Sequence, residues 1–299
     1  MKYAKPSLTF EEQADLLLKR GLTADRDELT QRLEAVSYYR LSGYLFPFRE
    51  TASDRFVEGT TLQTIWDRYC FDRQLRLLLL DAIERIEVSV RTKLVYHFSH
   101  EHGPFGYCNE ANLPKLNLNA YLEWRLSLEE EVRRSKETFK THFREKYGDV
   151  HPSLPLWMLA ELMSMGSLLT FYKGVAPSLK QRIAIEYGIS DKLLLSWLTG
   201  LYTARNICAH HARLWNRSMG TAVLRPSPNK FPDWHKNHEL PNNRCGILIM
   251  ICRYMLRLIS PSSKWNDRIE NLMTEFPGIP LRDMGLPEKL TDNPIWTNK

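Results

Sequence analysis

The sequence predicts an all-α protein built as a helical bundle, and three observations predict it. Apolar residues recur at the helical period through several long segments, capping residues stand where those segments begin, and no strand-like alternation occurs. Of 299 residues, 43% are hydrophobic, enough to bury a core and to exclude a disordered chain. The longest apolar runs, Leu77–Leu80 and Ile247–Cys252, fall far short of the roughly 20 residues of a membrane span, so no membrane association is expected. No apolar signal segment follows Met1–Pro6. Five cysteines, odd in number and scattered, read as free thiols of a reducing compartment, so a cytoplasmic location is expected.

In chain order, Phe10–Lys19 and Asp25–Tyr38 read as short helices, the second capped by Thr23 or Asp25. Leu41–Gly59 reads as an aromatic loop containing Gly43, Pro47 and Gly59. Thr60 or Thr61 caps a long helix from about Leu62 to Ser99, whose Ile65, Leu75, Leu79, Ala82, Ile83, Ile86, Val90 and Leu94 form an apolar stripe. Gly103–Pro114 is a loop. Ala120–Lys146 reads as one charged, solvated helix with Glu129/Arg133 and Glu130/Arg134 pairs. Pro155 suits the first turn of a helix running to Tyr172, in which Trp157, Met158, Met163 and Met165 are assigned to the core. A shorter helix covers Leu179–Tyr187, and Ser190 caps another from Asp191 to about Trp215. Met219–Asn243, with four prolines, is a long irregular loop. Helices near Arg244–Ile259 and Ser263–Phe276 precede a Pro-rich tail. Three parts are expected: an N-terminal segment, 1–59, packing on the core; a helical core, 60–217; and a basic loop with C-terminal helices, 218–299.

The chemistry concentrates at Arg205-Asn206-Ile207-Cys208-Ala209-His210-His211, at the end of the mostly apolar helix begun at Asp191. Buried polar groups cost free energy unless paired, so such a cluster needs a partner or a task. An imidazole moves a proton near neutral pH. A guanidinium holds a phosphate through two parallel hydrogen bonds. Asn206 and His210 share a stripe at i, i+4, whereas Arg205 and His210 point roughly 140° apart. Either the arginine side chain curls round, or a second copy of the motif completes the site. A homodimer is expected, with the small residues Ala204, Ala209 and Ala212 allowing close approach. The alternative is a polar seam bonded to other helices.

Charge points the same way. Between Arg205 and Ser260 stand nine basic residues, including Arg213, Arg217, Arg225 and Lys230, against only Asp233 and Glu239. That segment carries the whole excess of a chain of net charge +6. A basic stretch starting at the polar motif suits an RNA partner, the alternative being a solvated face. Glu84 and Glu87 lie near the edge of the long helix's stripe, with Arg91 one turn beyond Glu87. Glu87 either orients Arg205 or His210 as a supporting carboxylate, or pairs along the helix with Arg91. His97, His100 and His102 read as helix-end histidines, so no metal is expected, nor any cofactor. The Tyr38–Tyr44 aromatics either stack on unpaired bases or pack as a plug, and packing is the preferred reading.

Six stretches, taken together, resemble one family. They are Tyr38-Tyr39-Arg40-Leu41-Ser42-Gly43-Tyr44, Phe71-Asp72-Arg73, Asp81–Arg91, Gly103-Pro104-Phe105 with Leu154–Met158, and Arg205–Arg217. In order and content they resemble the Abi-like family of bacterial abortive-infection proteins, of the AbiD/AbiF type, within the HEPN superfamily. The resemblance spans about Tyr38 to Arg217. It implies a HEPN-like helical bundle with additional terminal helices, whose Arg-x4-6-His motif is a metal-independent ribonuclease site matched here by Arg205, Asn206 and His210, with His211 supporting. It implies an RNA endonuclease of phage defence, or a toxin, leaving 2′,3′-cyclic phosphate and 5′-hydroxyl ends. An RNA or a protein antitoxin fits as its silencing partner. The family's tyrosine two residues after the histidine is replaced by Ala212, which departs from the version modified by a nucleotidyltransferase. The alternative reading is a non-catalytic RNA-binding or regulatory module.

Overall fold

The longest apolar stripe in the sequence becomes the axis of the molecule. The computed structural model describes residues 2, 6–236 and 239–297. In it α1 (Phe10–Lys19), α2 (Arg26–Val36) and α3 (Tyr38–Leu45) precede α4 (Leu62–His102), a helix of 41 residues and about 60 Å. Thr61 caps α4 by accepting from the Thr64 N–H, and Leu75, Leu79, Ala82, Ile83, Ile86, Val90, Leu94 and Phe98 are fully buried along it. Then come α5 (Leu118–Arg134), α6 (Thr138–Tyr147), α7 (Leu156–Leu159), α8 (Met165–Gly174), α9 (Pro177–Ile185) and α10 (Asp191–Ala209). Past an irregular stretch, α11 (Cys245–Ile259), α12 (Trp265–Glu275) and the short α13 (Pro294–Thr297) complete the chain. Helices α3, α9, α10, α11 and α12 all pack on α4, and one continuous hydrophobic core runs from Ala14 to Trp296. The fold is all-helical, as the periodicity predicts. Among the described residues no helix is long and apolar enough to cross a membrane.

Five expectations are corrected. The expected aromatic loop from Leu41 is the second half of α3, which Ser37 caps; Tyr44 and Leu45 are buried, and the chain leaves helical structure only after the 3-10 turn Phe46–Phe48. The charged helix expected over 120–146 is two helices. It breaks without Gly or Pro because Lys140 Nζ reaches back to the Val132 and Ser135 carbonyls, closing α5. The helix expected from Pro155 to Tyr172 is interrupted at Ser164, which caps α8 and whose N–H donates to Glu131 Oε1 at 3.2 Å. Met163 and Met165 are core, but Trp157 is 52% exposed. Finally, α10 ends at Ala209 rather than near Trp215.

Helix α10 packs unusually close to the segments C-terminal to it. A Cβ on Gly200 would lie 2.3 Å from Val223 Cγ1 and 3.2 Å from Leu248 Cδ2. Glycine here lets the irregular stretch and α11 lie directly against the motif helix.

Candidate active site

The motif occupies the last turn of α10 and the cap that ends it. Ala204 and Cys208 face the core and are buried, and burial pushes the Cys208 thiol up to about 12, so it packs rather than reacts. Arg205 and Asn206 are half-buried at the helix edge, where Arg205 Nη1 donates to Asn206 Oδ1 at 3.3 Å. His210 is the C-cap residue; its N–H still reaches the Asn206 carbonyl at 3.0 Å, so the i, i+4 stripe holds to the exposed imidazole.

His211 then reverses the chain. It sits in the left-handed region at φ 56°, where its N–H meets the Cys208 carbonyl at 3.0 Å and the Ala212 N–H meets Ile207 at 2.9 Å. Those are the two bonds of a Schellman cap, whose left-handed position glycine normally fills. His211→Gly is therefore expected to raise stability by about 0.5–1 kcal/mol through relief of the side-chain clash. Thermal unfolding measures it. A lower melting temperature would mean that the His211 ring makes contacts outweighing the strain.

A network that the sequence reading missed fixes this cap. Arg40 Nη1, on α3, donates to the His211 carbonyl at 2.5 Å, and Arg213 donates back to the Gly43 carbonyl of α3. Beneath them Asp72, fully buried on α4, accepts from the Trp215 N–H at 2.7 Å, the Leu214 N–H at 3.1 Å and the Tyr44 hydroxyl at 2.5 Å, and pairs with Arg76. Pairing with Asp72 and Tyr44 holds the Arg76 guanidinium above its ordinary value despite burial. Past the reversal at His211 the Leu214 and Trp215 amides bond to Asp72, which ties the chain that leaves the cap to α4. Phe71-Asp72-Arg73 was legible as a motif, but its role was not, since Asp72 and Trp215 lie 143 positions apart.

Glu87 and Arg91 form an ion pair on α4, and Arg91 Nη2 also donates to the Met163 carbonyl at 3.0 Å. Burial pushes the Glu87 carboxyl above the usual carboxylate range, against the pull of the Arg91 and Arg205 cations. Of the two sequence readings of Glu87, the pairing along the helix with Arg91 is the one the structure shows.

Of the basic candidates, Arg213 is turned inward to Gly43, and Arg225 pairs with Glu239 at 2.6 Å. Lys236 pairs with Asp233 at 2.8 Å. Arg217 and Lys230 are exposed. The α4 histidines diverge: His97 Nε2 bonds to Glu186, and His100 Nδ1 to the Tyr96 carbonyl of its own helix.

The model of the Abi-like protein family matches residues 31–216, from α2 through the whole capping network. The chain belongs to the Abi-like protein family. Membership points to abortive infection, a phage-defence role, and is compatible with a nuclease. No curated protein and no solved structure matches the chain. The family match takes in Asp72, Arg205 and His210 and stops at Asn216, just past the amides that Asp72 holds.

Proposed function

We propose that this Abi-like protein is a metal-independent RNA endonuclease of the HEPN type, acting in phage defence or as a toxin. The observation that carries the reading is the cap of α10. An exposed imidazole stands one turn beyond a paired Arg205 and Asn206, on a chain reversal braced from α3 and α4. His210 takes the proton from a ribose 2′-hydroxyl, or returns one to the departing 5′-oxygen. The 2′-oxygen attacks phosphorus, the P–O5′ bond breaks, and the products are a 2′,3′-cyclic phosphate and a 5′-hydroxyl. Arg205 stabilises the charge that builds on the phosphate oxygens, and Asn206 orients the phosphate or the imidazole. Arg217 and Lys230 offer exposed cations for the RNA backbone. Incubating the purified protein with mixed RNA in EDTA, followed by end-group analysis, tests this. Cleavage that requires added metal, or that leaves 5′-phosphates, overturns it.

We further propose a homodimer whose two centres share residues. Its support is the angular separation of Arg205 and His210, which α10 preserves to its last turn. Ala204 is spent in the chain's own core, so close approach falls to Ala209 and Ala212. An equal mixture of inactive Arg205→Ala and His210→Ala chains is expected to restore about a quarter of the parent activity, since about half of the dimers are mixed and each mixed dimer keeps one of its two shared centres intact. Mixing that restores nothing leaves a centre built within one chain.

A further inference from the structure

Cleavage of a phosphodiester by its own 2′-hydroxyl needs two proton transfers, one from the attacking 2′-oxygen and one to the departing 5′-oxygen. His210 accounts for one of them, and the motif carries a second imidazole. Among the described residues, Ser37 and His211 are the two non-glycine residues at positive φ, 63° and 56°. Ser37 has a structural task there, since its hydroxyl caps α3 by accepting from the Arg40 N–H. The His211 side chain has no such bond. It is exposed and makes no hydrogen bond, ion pair or ring contact among the described residues. Glycine would fill the same left-handed position with less strain. The His211 backbone is nevertheless firmly braced. Its N–H meets the Cys208 carbonyl at 3.0 Å, its carbonyl accepts from Arg40 Nη1 at 2.5 Å, and the next N–H meets the Ile207 carbonyl at 2.9 Å. A side chain that strains its backbone, bonds to nothing in its own chain and stands on a braced reversal points to a task outside the chain, because such strain gathers at functional sites.

We propose that His211 is the general acid of the reaction, with His210 as its general base. The attacking and leaving oxygens lie roughly in line on opposite sides of phosphorus, so base and acid must approach from different directions. Two successive helical residues would stay on one spiral. The left-handed backbone takes His211 off the spiral of α10 and so supplies the second direction. His210 takes the proton of the 2′-hydroxyl, the 2′-oxygen bonds to phosphorus, and the P–O5′ bond breaks. His211, protonated at the start, gives its proton to the departing 5′-oxygen, leaving a 5′-hydroxyl. Proton exchange with water then restores both rings. The inference rests on the ribonuclease reading and deepens it by naming the group that releases the product.

The test uses the full chain and a short labelled RNA whose cleaved bond has first been located with the parent protein. A second version of that RNA carries sulfur in place of the bridging 5′-oxygen at the same bond. A thiolate departs without being protonated, so a general acid is dispensable for the sulfur substrate alone. His211→Gly, folded and no less stable than the parent, is expected to cut the oxygen substrate about 10²-fold or more slowly. On the sulfur substrate it is expected to keep close to the parent rate, whereas His210→Ala stays impaired on both. His211→Asn, which also tolerates the left-handed conformation, is expected to follow His211→Gly, which separates the ring from the backbone. Parent-like cutting of the oxygen substrate by His211→Gly overturns the acid role. Equal loss on both substrates also overturns it, since that marks a residue that only holds the site. Rescue of His210→Ala by sulfur overturns it too, by reversing the roles. A parent chain that cuts no RNA overturns the ribonuclease reading itself, and the acid role with it.

Discussion

Replacing His210 with alanine is expected to abolish RNA cleavage and cell toxicity while the protein folds as before. Losing a positioned acid–base group typically costs about 10²–10⁴-fold in rate. Stability should be spared because the ring is exposed at the C-cap, whereas the bonds that hold the cap come from backbone groups, Arg40 and Asp72. Single-turnover cleavage of a labelled RNA, run beside thermal unfolding, separates the two effects. A folded His210→Ala chain with full activity ends the ribonuclease reading as stated.

Asp72→Ala is expected to be the most damaging single change to the fold. It leaves the nearly buried Arg76 guanidinium, the Tyr44 hydroxyl and the Leu214 and Trp215 amides without their common acceptor. Breaking a buried ion pair by removing one partner costs about 3–5 kcal/mol. That is a large share of the roughly 5–15 kcal/mol that holds a domain folded. Urea unfolding measures it as a lowered midpoint at unchanged slope. Tyr44→Phe removes only one hydrogen bond to the carboxylate, with an expected cost of about 1.5–3 kcal/mol, and it gives a reading should Asp72→Ala fail to fold. Cleavage falls in both variants because the reversal after His210 loosens. Unfolding of Asp72→Ala within about 1 kcal/mol of the parent would mean that the network is not what holds the cap, since that matches a lone neutral hydrogen bond.

The sequence reached the helices through two local signals, the 3.6-residue apolar period and the polar cap. Where both are strong the helix starts were legible, to the residue at Ser190 and to within one residue at Thr60 or Thr61. Breaks set by distant partners were not. Nothing between Ser135 and Glu137 stops a helix by itself; Lys140 does so by folding back on the carbonyls. Trp157 looked like core because helical spacing cannot tell which face another element will cover, and this face is left open. Arg213 counted as an RNA cation because charge is visible in sequence while its acceptor, 170 positions away, is not.

The family was legible as a resemblance of motifs; by helical geometry the sequence determined the helical class, the placement of the long axial helix and the stripe that joins Asn206 to His210. These come from nearest-neighbour geometry, with residues three and four apart meeting on one face whatever the rest of the chain does. Tertiary structure alone decided where α10 ends, that His211 takes a left-handed conformation, and that Asp72 of α4 ties down the chain beyond it. The physical reason is competition for hydrogen bonds. A turn of helix continued past Ala209 would have used the Leu214 and Trp215 amides in its own ladder; the chain instead reverses at His211, and a buried carboxylate on another helix, held by Arg76 and Tyr44, supplies those amides with a charged acceptor.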